Sequence, residues 1–305
     1  MGEDMDKIKI GIPRGLFYEE FHEKWKCFFE HLDCEVIESK PTNLKIIQEG
    51  KKLANDEMCL SFQVYLGHVA SLKGQVDYVI VPRVDNYGNE LQTCTNLLAS
   101  YDIVHNLIDI PILNYNIDLV NHETEKKGFY QIARSLGKQY QDIKKAYRLS
   151  KKMAKLMRDK EISRNYNKIS KSGLKLLLVG HSYMLHDSYF MSDIEKQIES
   201  QDGVLIYSDL FDSGATLENS KKYSHELYWK SNKEAIGAIG LLEHQLDGVI
   251  FISSFPCGPD SLVNELVMRK LNLPYLNLVM DDMNSSVGIE TRIESFVDMI
   301  NDRKK

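Results

Sequence analysis

The strongest constraint on this chain is a recurrence of short, nearly continuous apolar runs, each too brief for a buried helix. Four come early: "KIKIGI" (7–12), "CEVIES" (34–39), "VDYVIVP" (76–82) and "IPILNYN" (110–116). Four come late: "LKLLLVG" (174–180), "GVLIYSD" (203–209), "DGVIFIS" (247–253) and "LPYLNLV" (273–279). Runs without polar alternation suit parallel strands covered on both faces. Helical stretches such as "NLKIIQEGKKLA" (43–54) and "SNKEAIGAIGLLEHQL" (231–246) alternate with them, which predicts doubly wound α/β layers. Between the two sets, Phe129, Ile132, Leu136, Tyr140, Ile143 and Tyr147 recur at three- and four-residue steps, predicting a helical segment over 124–160. The polar "SRNYNKISKSG" (163–173) reads as a linker. The expected division is an N-terminal α/β domain over 1–123, a helical connector and linker over 124–172, and a C-terminal α/β domain over 173–305. No internal repeat is strong enough to indicate duplication.

Composition removes several classes of function. The start, "MGEDMDKIKIGIPRG", is acidic and passes straight into a strand pattern, unlike a secretory signal. No apolar run approaches the roughly 18 residues of a membrane span, so no membrane partner is expected. Five cysteines without a dense framework point to a reducing cytoplasm rather than disulfide stapling. The net charge is −6, yet residues 138–175 carry 13 Lys/Arg against 3 Asp/Glu. That basic stripe lies on the long helical segment with few aromatics beside it. It reads as a solvated helix face, then as a docking surface for an acidic protein, and not as a nucleic-acid site.

Ligands of open parallel sheets bind beyond the carboxyl ends of the strands. The loops there are "PRG" (13–15), "PRVDNYGNELQTC" (82–94), "GHSYMLHD" (180–187), "SDLFD" (208–212), "SSFPCGPD" (253–260) and "MDDMNSS" (280–286). Cys27 and Cys34 fall inside a helical and a strand pattern and read as packing residues. Cys59, Cys94 and Cys257 instead stand near predicted helix starts, where amide donors and the dipole stabilise thiolates. Pro259 after Cys257 suits a first helical turn. With no CxxC pair and no histidine pair at ligand spacing, zinc is a poor candidate. One nucleophilic cysteine with His68, His181 or His186 as base has no local signature to select it. Three separated thiolates suit an iron–sulfur cluster, although spacing alone leaves three unrelated thiols open.

Other motifs say less. No phosphate-binding loop for ATP is evident, and "GAIG" (237–240) lies inside a helical stretch, outside any strand–turn context. Arg14 and Arg83 each follow a proline at a strand end, and either pair with carboxylates or bind an anion. Asp281 and Asp282 read as helix-capping residues ahead of a proton-transfer pair.

Together these residues carry a resemblance. "IGIPRGLFYEEFHEKWKCFFEHL", "KPTNLKIIQEGKKLANDEMCLSFQVYLGHV", "LLLVGHSYMLHD", "SSFPCGPDSLVNELV" and "GIETRIESFVDMI" occur in order over almost the whole chain. They resemble the acyl-CoA dehydratase activase-related proteins, relatives of the 2-hydroxyacyl-CoA dehydratase subunits and of the double-cubane cluster proteins. The resemblance implies two Rossmann-like domains with mainly parallel four-stranded sheets and an iron–sulfur cluster between them. It implies Cys59, Cys94 and Cys257 as ligands of a [4Fe–4S] cluster, ahead of a double-cubane cluster, with one iron left open. Arg14, Arg83, His181 and Tyr183, at predicted strand ends, are expected around that cluster. The implied partner is an ATP-dependent activase of actin-like fold that delivers a low-potential electron, with a related subunit as a further dimer partner. The rival readings are a non-redox two-domain protein that closes on a small ligand, and a scaffold subunit of an activase complex. The chain departs from the family pattern in "MDDMNSSVG", where Met283 replaces a histidine, and in "DNYGNELQT" before Cys94.

Overall fold

The computed structural model describes residues 7–281 and 286–304. The chain divides into two compact units, Met1–Met58 with Phe62–Met157, and Cys59–Ser61 with Arg158–Lys305. Each is an α/β unit built on a four-stranded, wholly parallel sheet flanked by helices, as two Rossmann-like domains require. Among the described residues no helix is long and apolar enough to cross a membrane.

The first unit runs β1 (Lys9–Ile12), α1 (Tyr18–Glu30), β2 (Glu35–Glu38), α2 (Leu44–Leu53), α3 (Leu60–Leu72), β3 (Tyr78–Ile80), β4 (Arg83–Asn86), α4 (Thr95–Leu107), β5 (Ile112–Leu113), β6 (Asn116–Asp118) and α5 (Glu125–Ser135). Its sheet has the order β2-β1-β3-β5. Beyond the ends of β3 and β5 the chain pairs once more, as the two-stranded parallel sheet β4-β6, which the continuous pattern of "VDYVIVP" and "IPILNYN" does not separate. Trp25, Phe28, Phe29, Phe62, Tyr65 and Phe129 are fully buried and form the core of this unit. The Trp25 indole donates to the Tyr115 hydroxyl at 2.9 Å, so the one polar atom of that ring is satisfied.

A long helix, α6 (Tyr140–Ile169), follows a turn at Gly137 and is the expected connector. It also corrects the linker reading, because 163–169 are helical. Asn165, which makes this stretch look like a loop, is 1% exposed and serves as a clamp. Its Nδ2 donates to the Tyr207 and Leu210 carbonyls at 2.9 and 3.1 Å, while its Oδ1 accepts from the Tyr207 amide at 3.0 Å. A polar side chain satisfied at both ends is buried without cost to the helix.

The second unit continues with β7 (Leu174–Val179), α7 (Ser182–Leu185), α8 (Ser188–Glu199), β8 (Gly203–Tyr207), α9 (Ser213–Ser220), α10 (Lys230–Leu242), β9 (Gly248–Ser254), α11 (Gly258–Met268), β10 (Tyr275–Met280) and α12 (Ser286–Lys304). Its sheet order is β10-β9-β7-β8. Leu176, Leu177, Leu178, Val249, Ile250, Phe251 and Ile252 have no exposed surface, so β7 and β9 are the centre of the core. Sealing each such side chain contributes about 1.5–3 kcal/mol. The glycines of "GAIG" belong to packing: a Cβ on Gly237 would stand 1.8 Å from the Thr216 carbonyl oxygen, where α10 crosses α9.

The same device fixes α2 against α3. A Cβ on Gly50 would lie 1.8 Å from the Gln63 carbonyl oxygen, and one on Gly67 would lie 2.0 Å from that of Ile46. Backbone meets backbone, and no side chain can yield. Gly50→Ala and Gly67→Ala are each expected to destabilise the fold by about 3 kcal/mol or more, read as a lower denaturant midpoint. An unchanged midpoint in both variants would show that the two helices do not cross there.

Candidate functional site

The second sheet defines its own crevice. From β7 the chain moves outward to β8 on one side, while β9 and β10 lie on the other, so the order reverses between β7 and β9. Ligands of open α/β sheets bind at such a switch point, beyond the carboxyl ends of the strands. His181 stands two residues past β7 and is the N-cap of α7. Cys257 stands three residues past β9, after the cis Phe255–Pro256 bond, and is the N-cap of α11.

These two side chains meet on Asp260, in the first turn of α11. Its carboxylate is 2.9 Å from His181 Nε2 and accepts from Asn232 Nδ2 at 2.8 Å. Asp260 is 4% exposed, and burial alone would raise its pKa. The His181 charge and hydrogen bonds from His181, Asn232 and Cys257 outweigh burial and hold the carboxyl below its usual range. Burial works against the His181 charge as well, yet Asp260 wins and raises the imidazole pKa. Tyr183 stacks on the His181 ring, with centroids 4.9 Å apart and planes 8° from parallel.

The Cys257 thiol is pushed far up, first by burial, then by the Asp260 charge, with a further contribution from Cys59. Cys59 belongs to this same compact unit, although its place before α3 predicts the N-terminal domain. The reason lies in two bonds of its neighbours. The Leu60 amide donates to the Phe255 carbonyl at 2.8 Å, and the Ser61 hydroxyl lies 3.1 Å from the Met184 sulfur. Cys59 is itself buried.

One ligand atom each from His181, Cys257 and Asp260 lie within 4.8 Å of one another. The buried Asp260 carboxylate is paired with the His181 imidazole, while the Cys257 thiol beside it is only partly buried. Thiolate and imidazole are both ligands of iron.

The first unit uses its strand ends differently. Arg14 Nε donates to the Ser39 carbonyl at 2.9 Å, and its Nη2 donates to Glu38 at 3.0 Å. Glu38 also accepts from the Tyr18 hydroxyl at 2.6 Å, and the guanidinium lies over the Tyr18 ring. Arg83 pairs with Asp102 and lies over Tyr101, while its buried Nε has no protein partner. Both arginines therefore hold carboxylates of their own unit, Glu38 and Asp102. The Arg83–Asp102 pair ties β4 to α4, the helix whose N-cap is Cys94. The loop before Cys94 is pinned by the Thr93 amide on the Asp85 carbonyl (2.8 Å) and the Tyr87 amide on the Leu91 carbonyl (2.8 Å). Cys27 and Cys34 are buried thiols whose pKa values burial raises. Of the acidic stretch near the C-terminus, Asp282 and Met283 lie outside the described residues.

The comparisons with known proteins speak to this arrangement. A family model described as CoA enzyme activase uncharacterised domain matches residues 9–211, about two-thirds of the chain. The chain belongs to this family. Within this activase-related domain family, the matched segment contains Arg14, Cys59, Arg83, Cys94, His181 and Tyr183, and it stops before Cys257 and Asp260. No curated protein matches the sequence. Among solved structures, an alignment to a putative Asp/Glu racemase from Yersinia pestis covers 96% of this chain and 99% of that one, at 14% identity and a TM-score of 0.24. An alignment to ZnuA covers 97% and 99%, at 9% identity and a TM-score of 0.29. Scores this low carry no argument about either fold or function.

Sequence reasoning missed Asp260 and Asn232. Asp260 had a signal, since it stands three residues after Cys257 in the first turn of a Pro-started helix, where an acidic residue faces the preceding loop. Asn232 had none, because only the tertiary fold brings α10 to it. His68, one of the three histidines considered as a base, is held instead as a neutral buried ring between Ser39 Oγ (2.9 Å) and Thr42 Oγ1 (3.0 Å). Burial and then the Arg14 charge lower its pKa from 6.5 to about 3. A folded pKa below the unfolded one contributes stability above pH 6.5 that is lost as pH falls toward 3. In that window His68 should remove about 1.4 kcal/mol of stability per pH unit. Denaturant titrations at pH 7.0 and 4.5 should show a smaller pH loss in His68→Gln than in the wild type. Equal losses would contradict the buried neutral ring.

Proposed function

We propose that this chain is an iron–sulfur protein in which Cys59, Cys94 and Cys257 hold a [4Fe–4S]-type cluster. Its task in this reading is to receive a low-potential electron from an ATP-dependent activase of actin-like fold. The observation that carries the reading is Cys59 and Cys257 within one unit, from segments about 200 residues apart that the Leu60 amide joins to the Phe255 carbonyl at 2.8 Å. Cys257 also stands beside a histidine and a buried carboxylate at the sheet's switch point. Membership of an activase-related family supports the partner. The absence of a phosphate loop in the sequence agrees with ATP hydrolysis residing in that partner.

A bound cluster would supply one-electron chemistry; the chain supplies the setting. Burial of Cys59 keeps water from its sulfur. The amide of Asp260, which hydrogen-bonds the Cys257 sulfur, favours a thiolate there.

Protein purified without oxygen should contain iron and acid-labile sulfide. Cys59→Ser and Cys257→Ser should each lose most of that iron, Cys94→Ser should do the same, and Cys27→Ser and Cys34→Ser should keep it. Full iron retention in both Cys59→Ser and Cys257→Ser would overturn the assignment. Stoichiometric zinc in place of iron and sulfide would overturn it as well.

A further inference from the structure

We propose that the outer side of α6 between 143 and 157 is a docking surface for a protein that presents an apolar groove edged with carboxylates. This stretch belongs wholly to the first unit, and the inference stands apart from the iron–sulfur reading.

The helix is held by one side. Ile143, Ala146 and Ser150 are buried, and the Tyr147 ring meets Phe129 edge-on with centroids 5.5 Å apart. At 3.6 residues per turn the buried three fall within about 60° of the helix surface. The opposite side is uniformly basic. Lys144, Lys145, Arg148, Lys151, Lys152 and Lys155 project there, all exposed, and no Asp or Glu occurs between 143 and 157. Opposite charges at i,i+4 support a helix in water, and like charges oppose it. Lys144–Arg148, Arg148–Lys152 and Lys151–Lys155 are like-charge pairs at that spacing. A solvated face gains nothing from this arrangement, since solubility is met by interspersed signs. Carboxylates of a partner reverse the sign of each interaction and steer the encounter.

Between the buried and basic sides runs an apolar stripe. Leu149, Met153 and Leu156 follow i, i+4, i+7, the anchor spacing of a helix laid in an apolar groove. Leu149 is half-buried, whereas Met153 is 43% and Leu156 61% exposed. Lys145, Arg148 and Lys152 edge the stripe on its outer side, so the complementary surface has an apolar floor and an acidic rim. Charge alone also suits a lipid headgroup or a nucleic-acid backbone. The stripe favours neither, because it holds no aromatic ring to stack on a base or to seat at a membrane interface. Nor does a second copy meeting α6 on α6 fit, since that sets cation against cation.

The test uses the full chain with three probes: a random copolymer of glutamate and tyrosine, phosphatidylserine vesicles, and duplex DNA. The copolymer should bind most tightly, and should shield Lys145 and Lys152 from acetylation while Lys73 of the same unit stays reactive. Joint Lys145→Glu and Lys152→Glu reversal should weaken binding about tenfold or more. Met153→Ser with Leu156→Ser should weaken it severalfold at unchanged charge. Lys45→Glu with Lys73→Glu, an equal change in net charge elsewhere on the unit, should leave it unaltered. Equal weakening by that control pair would overturn the surface, as would failure of the copolymer to bind. Tighter binding of vesicles or DNA would assign α6 to another class of partner and overturn the proposal, and so would self-association that shields the same lysines. Iron and sulfide content bears only on the proposed function, so the two readings fail separately. Should a variant fail to fold, the acetylation pattern of the wild type decides.

Discussion

A carboxylate shut inside an α/β unit has to be neutralised, and the second unit of this protein is arranged around that requirement at Asp260. The residue is 4% exposed and stays ionised because His181, Asn232 and Cys257 converge on it. Each partner arrives on a different element: the loop after β7, helix α10, and the N-terminus of α11. One buried charge thereby sets the position of a histidine and a cysteine beyond the ends of two neighbouring strands. Removing one member of such a pair leaves an uncompensated charge, at a cost of about 3–5 kcal/mol. The chemistry of the site follows from this interaction. The same carboxylate raises the imidazole pKa and, after burial, is the next cause that keeps the neighbouring thiol protonated.

The two units share an architecture and differ in what they do with its polar edge. In each, four parallel strands end in loops that carry ionisable residues. In the first unit Arg14, Glu38, Ser39, Tyr18 and His68 close on one another, the arginine held by carboxylate and carbonyl and the histidine kept neutral between two hydroxyls. Within this group the arginine and the histidine both have protein partners. In the second unit the partners of Asp260 include a thiol, and a second thiol, Cys59, is drawn in through the Leu60 amide on the Phe255 carbonyl. A thiol is a poor hydrogen-bonding partner and a good metal ligand.

Much of this was legible in the sequence because it depends on local pattern. All eight apolar runs are strands, and the stripe from Phe129 to Tyr147 falls on α5 and α6, since burial on both faces of a sheet or on one helix face leaves a periodic trace. Cys94 and Cys257 are helix N-caps and Cys59 precedes the first residue of α3, as their flanking residues suggest. What escaped depends on distance. Asn165 looks like a loop residue until the Tyr207 backbone is seen beside it, and Asn232 acquires meaning only through Asp260. The grouping of Cys59 with the second unit follows from the Leu60–Phe255 amide–carbonyl bond and the Ser61–Met184 contact, which no spacing rule contains.

The central claim is that the sulfurs of Cys59 and Cys257 bind one iron–sulfur group. X-ray absorption at the iron edge, on protein purified without oxygen, tests it most directly. The account predicts sulfur as the dominant first-shell neighbour of iron and a second iron in the next shell. A first shell of oxygen and nitrogen with no neighbouring iron would contradict it.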